Sequence, residues 1–178
     1  MRFMKTALIA LLLLALPCLA AAQGIEISAL TPIEFAAEEN AQVLALYCGP
    51  TQGFYSHGEQ TLDTGAPYVV FGQYDCWAMA AQGTKDAFGP IGWVEAGSIT
   101  DIPYEPQLCF EDGFAAMIEE AAQMTDNPLA ENPFEGWDMA LEAGTQVTVL
   151  AQLGEFIYVQ AEIEDAPARV FVPSSSVF

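Results

Sequence analysis

Chemistry in a chain of this kind needs a nucleophile with a base, a set of metal ligands, or a cradle for a phosphate. The only histidine is His57, in Gly53-Phe-Tyr-Ser-His-Gly58. Ser56 is its neighbour in sequence, which points the two side chains apart, and no third group is placed to orient the imidazole. Cys48 with His57 would be a thiol–imidazole pair, but the supporting Asn or Asp and a helix-borne cysteine are both missing. For metals there is no histidine pair and no Cys-x-x-Cys. Glu162-x-Glu164-Asp165 lacks the glycine around which a calcium loop turns. Gly83-Thr-Lys-Asp86 lacks the glycine-rich cradle that precedes a phosphate-binding helix. These absences favour a protein that is not an enzyme, with no catalytic residue, no metal and no cofactor.

The elements around these residues read as short strands. Val43–Tyr47, Tyr68–Phe71, Trp77–Ala80 and Ile91–Val94 are apolar, β-branched or aromatic runs separated by glycine- and proline-rich turns. Trp77 and Trp93 fall at strand positions, where core packing is the ordinary role. Residues 51–60 read as a loop. The alanine- and glutamate-rich stretch from Phe114 to Met124 favours a helix, and residues 125–136, with Pro128 and Pro133, are irregular.

The first 22 residues have the form of a signal peptide. A basic start (Arg2, Lys5) leads into an apolar run from Ala7 to Leu16, and small residues precede Gln23. Leu16-Pro17 before Cys18 is a poor lipoprotein site, so simple cleavage after Ala22 is expected, with delivery to the periplasm or the exterior. Cleavage would leave 156 of the 178 residues. Lys85 and Arg169 would then face all 24 acidic residues, taking the net charge from −20 to −22. Such a surface repels nucleic acid and anionic lipid and suits partners carrying amines or basic residues.

A repeat organises the chain. Leu62-x-x-Gly65 returns as Leu141-x-x-Gly144, 79 residues later. At the same spacing Val70-Phe71 falls on Val149-Leu150, Gln73 on Gln152, Trp77 on Phe156 and Met79 on Tyr158. At a spacing of 78, Trp93-Val94 falls on Phe171-Val172 and Ser98-Ile99 on Ser176-Val177. So many matches in order, with one gap placed in a loop, indicate duplicated small β units. Three cysteines, Cys48, Cys76 and Cys109, follow the signal peptide and allow three single bridges. Cys48–Cys76 is the preferred disulfide, because both flank strands of the first unit.

Gly92-Trp-Val-Glu-Ala-Gly-Ser-Ile99, together with Leu-x-x-Gly and the Tyr47-Cys-Gly-Pro50 opening, resembles the bacterial Src-homology-3-like (SH3-like) barrel family. The resemblance covers about residues 43–99 and, in divergent form, 139–177, where Val170-Phe171 replace the Gly-Trp pair. It implies a mainly β fold of two small, five-stranded, partly open barrels in tandem, with the short helix read above between them. Joined to the features read from the residues, it makes the expected organisation signal peptide 1–22, N-terminal arm 23–40, first barrel 41–104, linker with helix 105–138 and second barrel 139–178. It further implies a binding module for a peptide, cell-wall component or partner protein of the envelope, using Tyr47, Phe54, Tyr55 and Tyr74. The alternatives are a small wall hydrolase or a structural envelope protein within a larger assembly.

Overall fold

The computed structural model describes residues 27–51, 53–54, 60–99 and 113–177. The expected signal peptide over residues 1–22, together with Tyr55, Ser56, His57 and Cys109, lies outside the described residues. The fold is mainly β. Among the described residues the strands are β1 (Ile33–Phe35), β2 (Val43–Ala45), β3 (Thr61–Asp63), β4 (Tyr68–Tyr74), β5 (Trp77–Thr84), β6 (Ala87–Glu95), β7 (Phe114–Met117), β8 (Ala122–Gln123), β9 (Ala140–Leu141), β10 (Gln146–Leu153), β11 (Phe156–Ile163) and β12 (Ala166–Pro173).

Two four-stranded antiparallel sheets carry the structure, in the orders β1-β4-β5-β6 and β12-β11-β10-β7. Each is accompanied by a two-stranded ribbon, β2-β3 or β8-β9, and among the described residues no sheet closes into a barrel. The registers of the two halves correspond. Trp77 faces Glu95 in the first sheet, and Phe156 faces Pro173 in the second. A bulge interrupts β4 at Phe71 and β10 at Leu150, which are 79 residues apart. Leu62 pairs with Leu44 in one ribbon and Leu141 with Ala122 in the other. Isolated bridges join Tyr47 to Trp93 and Thr125 to Phe171, again at matching places. A bulge adds one residue to one strand and sharpens its twist, so its position is a specific feature of a sheet.

The turns follow from local chemistry. Glu164 and Asp165 both adopt positive φ (51° and 63°), the conformation of a two-residue type I′ hairpin turn. The acidic run weighed above as a calcium loop is therefore the tip of the β11–β12 hairpin. Asp75 (φ 52°) serves the β4–β5 turn and Gly154 (φ 59°) the β10–β11 turn.

The expected helix over 114–124 is not formed. Phe114 and Ala116 are half-buried while Ala115 and Met117 are exposed, the two-residue alternation of a strand. Hydrogen bonding of β7 along β10, with Phe114 opposite Val149, overrides a local helix preference worth only tenths of a kcal/mol per residue. β7 occupies in the second sheet the edge place that β1 occupies in the first. The N-terminal arm likewise does more than lead in: it supplies β1 to the first sheet, and Ala29 bridges Gln152 of the second.

Alternation along the strands produces three cores. Leu46, Leu62, Tyr68, Val70, Ala78, Ala80, Val94 and Ile99 fill the first half. Their counterparts Met124, Leu141, Val147, Val149, Ile157, Val159, Val172 and Val177 fill the second. The opposite faces of both sheets meet in a third core, a seam that includes Phe71, Met79, Trp93, Tyr158 and Phe171. Reciprocal backbone bonds close this seam: the Ile91 N–H donates to Asp126 O (2.7 Å), and the Arg169 N–H donates to Cys48 O (2.8 Å). These two bonds relate by the same 78-residue spacing.

Candidate functional site at the seam

At position 169 the second half places a charged residue where the first has an apolar one. Its counterpart in the first half is the buried, apolar Ile91; here it is one of the two basic residues among those described. β12 carries Arg169 to the seam, where its guanidinium lies 5.7 Å from the ring centre of Phe54, 5.5 Å from that of Tyr74 and 5.4 Å from that of Trp93. All three are within the range at which an aromatic face attracts a cation. Its Nε–H also donates to Gln160 Oε1 on β11 at 3.0 Å. Burial holds the guanidinium below its ordinary pKa, and nearby Tyr158 and Tyr74 act in the opposite direction.

Tyr158 is the second group from β11. Its hydroxyl accepts a 2.8 Å hydrogen bond from the Trp93 indole N–H, buried within the seam. Burial pushes the phenol well above its ordinary pKa, outweighing the lowering effects of Arg169 and of the Trp93 bond. Its ring packs against Phe171 with centres 4.7 Å apart. Both faces of this arrangement are thus spanned by residues from both halves.

The structure brings two of the four aromatic residues named from the sequence to one cation: Phe54 and Tyr74 both face Arg169. Tyr47 stands edge-on to Trp77 with ring centres 5.6 Å apart, and its backbone pairs with Trp93. Tyr47, Phe54 and Tyr74 are each partly exposed. The loop that delivers Phe54 turns tightly, because its ring lies on Gly49: a Cβ there would sit 1.9 Å from the ring. Glycine at 49 is therefore a steric condition for placing Phe54 over Arg169.

The preferred disulfide is not formed: no bridge joins Cys48 and Cys76. Cys48 is drawn toward the second half, half-buried against its core and accepting the Arg169 N–H. Cys76 is exposed in the β4–β5 turn, its Sγ 4.0 Å from Asp75 Oδ2. The seam has taken Cys48 for a contact between the halves, where the sequence suggested a staple within the first.

Arg169, Tyr158 and Gln160 were not among the residues singled out by type and spacing. The signal was present in the repeat. Arg169 breaks the apolar-for-apolar matching at Ile91, and Tyr158 replaces Met79 with a side chain that has a polar end. Chemically, aromatic faces around one partly desolvated cation attract it through their ring quadrupoles. Among the described residues no group of three or more His, Cys, Asp or Glu is arranged to hold a metal ion, and no helix among them is long and apolar enough to cross a membrane. Comparison of the chain with family models, curated proteins and solved structures finds no match.

Proposed function

We propose that this protein is an exported, non-catalytic binding module of the envelope, made of two SH3-like units joined through a shared aromatic seam. The observation that carries the reading is the convergence of Phe54 and Tyr74 on Arg169. Partly exposed aromatic side chains held by a rigid β framework are the usual anchors of recognition surfaces. The matched registers and bulges of the two halves support the tandem SH3-like reading, as does the Gly92-Trp93-Val94 strand at the centre of the seam. Its ligand is a peptide, cell-wall component or partner protein. The net charge of −20 on the whole chain favours ligands bearing amines or basic residues and disfavours nucleic acid and anionic lipid.

The direct test is capture from an envelope extract with the immobilised full chain at low and high salt, repeated with a Phe54→Ala/Tyr74→Ala variant. Recovery of a partner by the wild type, reduced by salt and lost in the variant, is expected. Recovery of nothing at either salt, or equal recovery by both proteins, contradicts the reading. Zymography of the same protein on wall material separates it from a hydrolase, which would leave a cleared band.

A further inference from the structure

The loop from Thr125 to Trp137 holds a second place where a ligand fits. Thr125 is fully buried and organises the loop: its hydroxyl accepts from the Asn127 N–H at 2.9 Å and donates to the Pro133 carbonyl. Further bonds from Ala130 N to Asn127 O (3.2 Å) and from Glu135 N to Asn132 O (3.1 Å) fix the turns. The loop is therefore built before any ligand arrives. Between it and the first half lies a cavity of about 250 Å³, lined by Gln60, Pro90, Asp126, Asn127, Glu135 and Trp137 among others. That is below the roughly 300–1,000 Å³ of sites for drug-sized molecules, so its occupant is a single side chain or a small molecule.

The lining decides the chemistry. The Asp126 carboxylate is oriented by Gln60, whose Nε2–H donates to Oδ2 at 2.6 Å. Glu135 supplies a second carboxylate at the exposed rim. Asn127 Oδ1 is enclosed, and no donor among the described residues reaches it; a buried acceptor in that state favours a ligand that brings donors. Pro90 and Trp137 provide apolar and aromatic wall. Acceptors with negative charge at one side and an apolar wall at the other complement a primary ammonium on a short alkyl stem, which has three donors and one positive charge.

We propose that this cavity binds a primary alkylammonium group, either the end of a lysine side chain or a free diamine. None of Phe54, Tyr74 and Arg169 lines this cavity, so it stands or falls separately from the recognition surface described above. The test is a nuclear magnetic resonance titration of the isotope-labelled full chain with n-butylammonium, following the side-chain amides of Gln60 and Asn127 and the Trp137 indole. Saturable shifts confined to these groups are expected. Affinity should fall about tenfold in Asp126→Asn, the scale of one charge-assisted hydrogen bond, and by a smaller factor in Glu135→Gln. Glu135 is exposed, so its variant remains informative if Asp126→Asn does not fold. N-acetyl-lysine methylamide and 1,4-diaminobutane as separate ligands distinguish the two sources by which binds more tightly. Absent shifts, equal shifts with tetramethylammonium, or affinities unchanged in Glu135→Gln and in folded Asp126→Asn would overturn the proposal.

Discussion

The indole N–H of Trp93 and the hydroxyl of Tyr158 meet at 2.8 Å, the first from β6 and the second from β11. This is a polar contact inside an otherwise apolar seam, made by two residues that the repeat aligns with Phe171 and Met79. Neither counterpart, a phenylalanine and a methionine, carries a side-chain N–H or O–H.

Tyr158→Phe removes the acceptor and leaves the Trp93 N–H without it. A buried donor deprived of its partner costs about 1–3 kcal/mol. Urea unfolding at neutral pH should show a loss of that size with the m-value unchanged. A neutral or stabilising substitution would mean that the bond contributes nothing to holding the halves together.

The same side chain sets an alkaline limit. Below the ordinary tyrosine value of 10.0 the phenol is protonated in both native and unfolded chains, and its contribution to stability is complete. Above that value the unfolded chain loses the proton while the buried native phenol keeps it. The unfolded state then binds fewer protons, and stability falls as pH rises, by about 1.4 kcal/mol per pH unit for this one group. Other tyrosines titrate as well, so the quantity to measure is the difference between wild type and Tyr158→Phe from pH 9 to 11. The wild type should lose stability more steeply; parallel curves would contradict the buried, raised phenol.

Arg169→Met tests the aromatic enclosure. Each ring contact contributes about 0.5–1 kcal/mol where water is near, and relief of the desolvated charge offsets part of the loss. The net change in stability should stay below about 2 kcal/mol. The local effect should be larger, because Phe54 loses the group it rests against. Amide exchange at Gly53 and Phe54 should accelerate while β4 and β5 remain protected. Unchanged exchange in that loop would show that Arg169 does not hold it.

Much of this framework was legible in the chain. Leu62/Leu141, Trp77/Phe156 and Trp93/Phe171 were aligned by spacing alone, and the structure places each pair at equivalent registers. The signal was strong because strand pairing fixes which face each residue takes, so matched positions must be matched in type. Two readings failed for physical reasons. Phe114–Met124 is rich in helix-forming residues, yet the edge of β10 offered backbone bonds that a local preference cannot outweigh. Cys48 and Cys76 are near in sequence to the same strands, but the seam turns Cys48 toward β12. The importance of Arg169 was also missed, since its partners come from the other half and no local pattern announces them. Tyr47, Phe54, Tyr55 and Tyr74 were named because large aromatic residues in or beside loops stand out without knowledge of the fold; of these, Phe54 and Tyr74 lie against Arg169.

Gly92 offers a test of how closely the halves are matched. Its counterpart is the buried Val170, yet a Cβ at Gly92 would lie 2.8 Å from Leu46 Cβ and 3.2 Å from Tyr47 O. The segment that carries Leu46 and Tyr47 thus lies directly against β6 at this residue. Gly92→Ala should therefore destabilise by about 1–3 kcal/mol, the range for overpacking a filled core. Thermal unfolding measures it; an unchanged midpoint would show that the segment yields at little expense.

The most direct test of recognition at the seam is hydrogen–deuterium exchange of the full chain with and without the partner fraction eluted from the envelope extract. The expected result is added protection centred on Tyr47, residues 49–54 and Tyr74, with the outer faces of both sheets unchanged. Protection confined to other surfaces, or none at saturating partner, would contradict the assignment of this face as the binding site.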